Sequence, residues 1–209
     1  MDGPAGQQIA DGLANAGLQA LGWYDSGARS FYNTKHPINT PADLQGLKFR
    51  VMSNDLYVQM VAALGGNATP MAYGEVYQSL KTGVIDGAEN NYPSYDSSGH
   101  FEAAKYYSVT QHLILPECLC INKALYDSLS DEEKKVVQEA ADASVEVQRA
   151  AWAARAEQSK EKVIAAGIEV NEVADKQAFQ DAMQPVYDNF IKANPDLADL
   201  VKAIQDAQK

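Results

Sequence analysis

An α/β fold is predicted by three observations: two strand-helix repeats between Pro41 and Asn90, apolar runs of strand length on either side of Pro116, and one long helical pattern after Leu129. Taken in order, residues 5–16 have helical character, Gly17 stops them, and Leu18 to Tyr24 reads as a strand closed by Asp25-Ser26-Gly27. No strand precedes the first helix, so the chain begins in mid-pattern, as expected of a piece of something longer. Gly46 to Val51 has the length and apolar weight of a short strand and delivers Arg50 at its end; Ser53 and Asn54 are natural N-cap residues for a helix directly after it. Leu56, Met60, Val61 and Leu64 recur at helical spacing, and Gly65-Gly66 ends that helix. Ala68 to Ala72 is a second extended run. Glu75, Val76, Leu80 and Gly83 give a second helix with its C-cap, and Val84-Ile85-Asp86 starts a third run. Two such crossovers imply parallel strands with right-handed connections. Ligands of open α/β sheets sit at the carboxyl ends of the strands, so Arg50 and the Glu89-Asn90-Asn91 cluster are expected to face a shared crevice.

Further on, Pro93 to Gly99 reads as a loop or the start of a helix, and Phe101 to Tyr106 as a short helix. Tyr107 to Ile114 and Glu117 to Asn122 are strands separated by Pro116, which cannot donate to a ladder and marks an internal boundary. Ser130-Asp131-Glu132-Glu133 is a capping box, and no glycine or proline follows until Gly167. The single helix this predicts would be about 54 Å long. Such a helix bridges two lobes or protrudes toward a partner, with coiled-coil pairing as the plainer reading and Trp152 as a packing residue. The tail has a strand candidate, Ile168 to Val173, and helical segments around Phe179 to Ala193 and Leu197 to Ala207, with Pro185 kinking or delimiting the first.

The formal charge of -11 argues against nucleic acid and against anionic membrane surfaces as partners. No apolar run reaches the length of a membrane span, and the N-terminus lacks the profile of a signal peptide, which leaves a cytoplasmic chain or one whose leader has been removed. Cys118 and Cys120 lie two apart on one strand face and read as small buried apolar residues, since such neighbours rarely close a disulfide. His36, His100 and His112 fall in different segments without metal spacing, so no metal and no cofactor is assigned and structural or exposed roles lead.

A guanidinium at a strand end, as Arg50 is, can hold a carboxylate by two parallel hydrogen bonds; a surface ion pair is the alternative. Arg29, after a strand and turn, offers a second positive contact or a solvated charge. Asn90 and Asn91 each donate and accept, suiting a hydroxyl or carboxylate oxygen, although loop asparagines more often make Asx turns. Tyr73 and Tyr92 suit packing against a ligand ring or a place in the core. Asp86 and Glu89 are three apart and admit an acid/base reading. No nucleophile elbow, phosphate loop or zincin motif occurs, so no catalytic residue is assigned and binding is favoured over turnover.

These residues also carry a resemblance. Pro41 to Val51, Ala63-Leu64-Gly65 with Thr69 to Tyr77, and Leu80 to Asn90 are similar, in order and spacing, to segments of the solute-binding proteins of tripartite ATP-independent periplasmic (TRAP) transporters of the DctP type. The likeness continues through Tyr106 to His112 and the long helix. It implies a two-lobe periplasmic-binding-protein fold with a long bridging helix. It also implies that the second lobe is nearly complete and the first largely missing: residues 1–25 a remnant of lobe one and crossover, 26–114 lobe two, 115–155 the return strand of lobe one and long helix, and 156–209 the remainder of lobe two. Residue by residue, Arg50 resembles the arginine that clamps the substrate carboxylate, Arg29 the auxiliary arginine, Asn90 the asparagine on the same ligand, and Tyr73 the aromatic that packs it. Asn91 stands where sialic acid binders usually have proline, and Glu89 to Tyr95 looks more like members that bind glucuronate or galacturonate. The resemblance implies periplasmic uptake of a small carboxylate with a membrane permease as partner. With lobe one incomplete, exposed apolar surface near Leu119, Ile121 and Val136 leads to an expectation of self-association or strand exchange. A sugar-acid enzyme using Asp86 and Glu89, and a helical interaction module, are the alternatives.

Overall fold

A computed structural model describes residues 1–207. The chain opens with α1 (Pro4–Asn15), β1 (Leu18–Tyr24), β2 (Ala28–Asn33), β3 (Lys48–Val51), α2 (Asp55–Ala63) and β4 (Asn67–Pro70). It continues through α3 (Val76–Thr82), β5 (Gly87–Asn90), α4 (Tyr92–Ser97), α5 (His100–Ala103), β6 (Tyr106–Ile114) and β7 (Glu117–Asn122). The last third holds α6 (Lys123–Ser128), α7 (Asp131–Ala165), β8 (Glu169–Glu172), α8 (Gln177–Ala182), α9 (Gln184–Ala193) and α10 (Ala198–Asp206). The caps expected from sequence are present: the Asn54 side chain accepts from the Leu56 amide, Gly83 closes α3 in the left-handed region, and Ser130 and Glu133 exchange hydrogen bonds before α7. Of the loop and the helix start expected at Pro93 to Gly99, the helix forms as α4, because Asn91 caps it and Pro93 sits in its first turn. One expectation is corrected: Tyr106 opens β6 instead of ending a helix.

The chain divides into two compact units, residues 1–27, 115–154 and 194 onward in one and residues 28–114 and 155–193 in the other. In the first, β1 and β7 form a two-stranded antiparallel sheet with a bulge between Ala20 and Gly22. A β-carbon on Gly22 would come within 2.8 Å of Val145, so glycine is what lets α7 approach the strand. Gln138 and Arg149 of α7 donate to the carbonyls of Leu21 and Trp23, and Tyr24 and Ser144 share a 2.8 Å hydrogen bond, so side chains satisfy the exposed edge of β1. Trp152 packs on Gly27. The tail divides at Asn194, with α10 against α1. Cys118 and Cys120 are half-buried instead of buried, with sulfurs 3.1 Å apart, because β7 belongs to a sheet of only two strands.

The second unit is built on a six-stranded sheet in the order β4-β3-β5-β2-β6-β8. Strands β3, β4 and β5 run parallel, as the crossovers require, but the sheet is mixed, because β2 is antiparallel to both β5 and β6. Alternation along the strands separates two cores. Phe31, Phe49 and Val51 pack with Met60, Val61 and Phe179 on one face; Tyr32, Ala88 and Tyr107 pack with Val76, Leu80, Tyr95 and Val163 on the other. Asp96 of α4 is tied to α7 by Lys162 at 2.5 Å, Ser159 at 3.0 Å and Arg155 at 3.5 Å. Among the described residues no helix is long and apolar enough to cross a membrane.

Gly87 lies where the sheet is tightest: a β-carbon there would stand 2.5 Å from the Tyr32 carbonyl oxygen and 2.5 Å from the Phe49 ring. Gly87→Ala is therefore expected to cost about 1–3 kcal/mol in urea unfolding, and an unchanged midpoint would contradict the packing. Burial raises the Asp96 pKa, but donation from Lys162 and Ser159 and the nearby Arg155 outweigh it and set it below its ordinary value of 3.8. Its folded pKa being the lower, Asp96 contributes stability that is complete above about pH 4 and lost as pH falls through the folded value. Asp96→Asn should remove this acid dependence and cost about 1–2 kcal/mol at pH 7, discounted for the solvent around Lys162 and Arg155; denaturation curves at pH 3 to 7 measure both.

Candidate functional site

All five residues singled out from sequence lie at the carboxyl ends of β3 and β5 or beside them, within the second unit. Arg29, on β2, is 6% exposed and is consumed by the protein itself. Its Nε and Nη2 donate to the two carboxylate oxygens of Glu89 at 2.6 and 2.8 Å, Nη2 also donates to the Glu89 carbonyl at 2.8 Å, and Nη1 donates to the Asn90 side-chain oxygen at 2.8 Å. Of the five N–H donors of a guanidinium, one remains. Burial works against both charges, yet their mutual hydrogen bonds prevail. The Arg29 pKa lies above its ordinary value and the Glu89 pKa below.

This pair fixes Asn90. Its side-chain oxygen accepts from Arg29 and from the Asn91 amide, so the oxygen is turned inward and the two Nδ2 hydrogens are left to donate elsewhere. Asn91 is placed differently: its side-chain oxygen accepts from the Ser94 amide and caps α4.

Arg50 is the opposite of Arg29. It is 5% exposed, its Nε donates to the Met71 carbonyl at 2.9 Å, and among the described residues no carboxylate lies within ion-pair distance. Burial lowers its pKa from the ordinary value, and the Arg29 charge lowers it further, but a guanidinium remains a cation at any neutral pH. The Nη edge, with four N–H groups, is uncommitted. Tyr73, 44% exposed, stands with its ring centre 5.7 Å from the Arg50 guanidinium carbon, its hydroxyl donating to the Ser94 carbonyl at 3.3 Å and its ring edge-on to His100. Burial, aided by Arg50, depresses His100 to about 4, so it stays neutral near pH 7; its Nδ1 and the Tyr32 hydroxyl, which keeps its proton, share a hydrogen bond of 2.7 Å.

Sequence alone assigns the histidines structural or exposed roles, and His112 is placed inside the protein beside the site. It stacks on Phe31 at 4.1 Å, Nδ1 is 2.8 Å from the Thr110 hydroxyl, and Nε2 stands 3.7 Å from Glu89, beyond hydrogen-bond length, with no other partner among the described residues. No spacing in the sequence signals this, because a shift in the pairing of β2 and β6 places the ring. The two acids of the alternative reading are separately engaged: Asp86 accepts from the Lys48 amide and faces Lys35, whereas Glu89 is held by Arg29. Among the described residues no group of three or more potential metal ligands occurs.

A buried cation with a vacant planar face, beside an outward-facing amide and an aromatic ring, is suited to a carboxylate attached to a polar ring. Several known proteins are similar to the chain. The chain is 61% identical over 208 residues to a solute-binding protein of Chromohalobacter salexigens, covering 100% of this chain and 62% of that relative's length. Among solved structures, a TRAP periplasmic solute-binding protein from Chromohalobacter salexigens with bound D-glucuronate superposes with a TM-score of 0.95 at 60% identity, covering 99% of this chain and 68% of that one. One from Sulfitobacter sp. NAS-14.1 with bound β-D-galacturonate gives 0.92 at 56% identity, covering 96% and 67%. With residues 1–194 matching the profile of bacterial extracellular solute-binding protein, family 7, the chain belongs to that family, DctP.

Proposed function

We propose that the chain acts as the periplasmic solute-binding component of a TRAP transporter, holding a sugar acid such as glucuronate or galacturonate and passing it unchanged to the membrane permease. The observation that carries this reading is Arg50, a buried guanidinium with no carboxylate against it among the described residues. A buried cation in that state is costly unless an anion completes it, and a ligand carboxylate does so with two parallel hydrogen bonds. Asn90 then donates to an oxygen of the same ligand, Arg29 adds its one remaining N–H while holding Asn90 in place, Tyr73 covers one face of the sugar, and Asn91 acts from the first turn of α4. The solved relatives with bound uronates support the ligand class.

Turnover is not favoured. Asp86 and Glu89 are three residues apart along an extended chain, about 10 Å, and both carboxylates are already bound by the protein. Glycoside chemistry needs two free carboxylates at shorter separation. The relatives give no support to self-association.

Calorimetry with glucuronate, galacturonate and glucose is the direct test: the acids should bind and glucose should not, and equal binding of all three would exclude the carboxylate reading. Arg50→Ala is expected to weaken uronate binding by about 2–5 kcal/mol, or about 30-fold to several thousand-fold, if the charge pair is desolvated. Glu89→Gln leaves the Arg29 charge buried without its counterion and should destabilise the fold by about 3–5 kcal/mol in urea; a loss under 1 kcal/mol would show that Arg29 finds another partner.

A further inference from the structure

Gln111 is the single non-glycine with a left-handed backbone among the described residues, at φ 48°. It lies in β6 where pairing with β2 slips: Arg29 faces Leu113 and Phe31 faces Ser108, so the one residue between them on β2, Ser30, is set against four of β6, Val109 to His112. A bulge of this size removes ladder bonds, and side chains replace them. The Phe31 amide donates to the Thr110 hydroxyl at 3.2 Å, and the Gln111 amide donates to the Ser30 hydroxyl at 3.2 Å. The Lys176 ammonium donates to the exposed Gln111 side-chain oxygen. In a regular strand Thr110 and His112 would follow the ladder. Here both are aimed at β2, His112 stacking flat on Phe31 with its buried, unbonded Nε2 toward Glu89. Thr110 thus accepts from the Phe31 amide while sharing a 2.8 Å hydrogen bond with His112 Nδ1, and the two contacts hold the ring with its Nε2 edge toward the carboxylate.

We propose that Gln111 is a positioning residue for the carboxylate site: by holding the left-handed bulge of β6, with Lys176 as its latch, it aims His112 at Glu89 and so keeps Arg29 bonded to Glu89 and Asn90 turned outward. This rests on the carboxylate reading of Arg50 and Asn90. A side chain of ordinary chirality is strained at this φ and a β-branched one more so, whereas glycine takes it freely. Strain retained at such a point, next to a buried ion pair, marks geometry the surroundings enforce.

Gln111→Gly, Gln111→Val and Lys176→Met separate the possibilities. The nitrogen and proton resonances of the His112 ring, measured in the ligand-free chain, report where the imidazole points, and calorimetry gives the dissociation constant for glucuronate. Gln111→Gly keeps the backbone conformation but loses the latch, so it should change His112 resonances and affinity no more than Lys176→Met does. Gln111→Val should shift those resonances further and weaken binding at least tenfold, and Lys176→Met should do both to a smaller extent. Unchanged resonances in Gln111→Val, or a ring displaced further in Gln111→Gly than in Lys176→Met, would overturn the proposal. If Gln111→Val does not fold, Lys176→Met decides, with unmoved His112 resonances as the overturning result. Arg50→Ala measured in parallel keeps the two readings apart: if it binds glucuronate as the parent does, the carboxylate reading fails, while the His112 resonances still decide the role of the bulge.

Discussion

The bidentate contact between Arg29 and Glu89 is the constraint on which the rest of the site depends. By neutralising one arginine inside the protein, it turns two neighbouring cations into one satisfied pair and one open charge. Had Glu89 been absent, Arg29 and Arg50 would repel across a buried space and each would demand an anion. With the pair in place, the same guanidinium that stabilises Glu89 also pins the oxygen of Asn90. One internal ion pair thereby sets the direction of a neutral donor as well as the count of free charges.

The sheet delivers these groups because β5 sits between β3 and β2. Arg50 arrives on one neighbour, Arg29 on the other, and Glu89 and Asn90 on the strand between them. Successive residues point to opposite faces, so Glu89 turns toward the face of Phe31 and Phe49 while Asn90 shares the face of Tyr32 and Ala88. Arg29, at the end of β2, reaches both. Only glycine at position 87 lets the strand lie this close to its neighbours.

Much of this was legible in the sequence, and for physical reasons. Caps and left-handed glycines such as Asn54, Gly83 and the Ser130 box act locally, so the parallel repeats and the long helix could be read from residues a few positions apart. Arg50 was legible as a strand-end guanidinium. The opposed states of the two arginines were not, because the bonding of Arg29 depends on Glu89, 60 positions away, brought alongside by antiparallel pairing of β2 and β5. Residues 93–99 read as either a loop or a helix start, because proline and serine suit both, and the Asn91 cap decides for helix α4. His112 was obscured more thoroughly, since neither its own type nor its spacing records a four-against-one bulge.

The chain's formal charge of -11 has a bearing on how an anion would reach Arg50. At long range the molecule repels such a solute, and at contact a single buried cation attracts it. Dissolved salt screens the first force beyond a Debye length of about 8–10 Å and touches the second far less, because the contact is sheltered from solvent. Moderate ionic strength would thus speed encounter while leaving residence time nearly unchanged, and a saline medium would favour scavenging of dilute acids by such a surface.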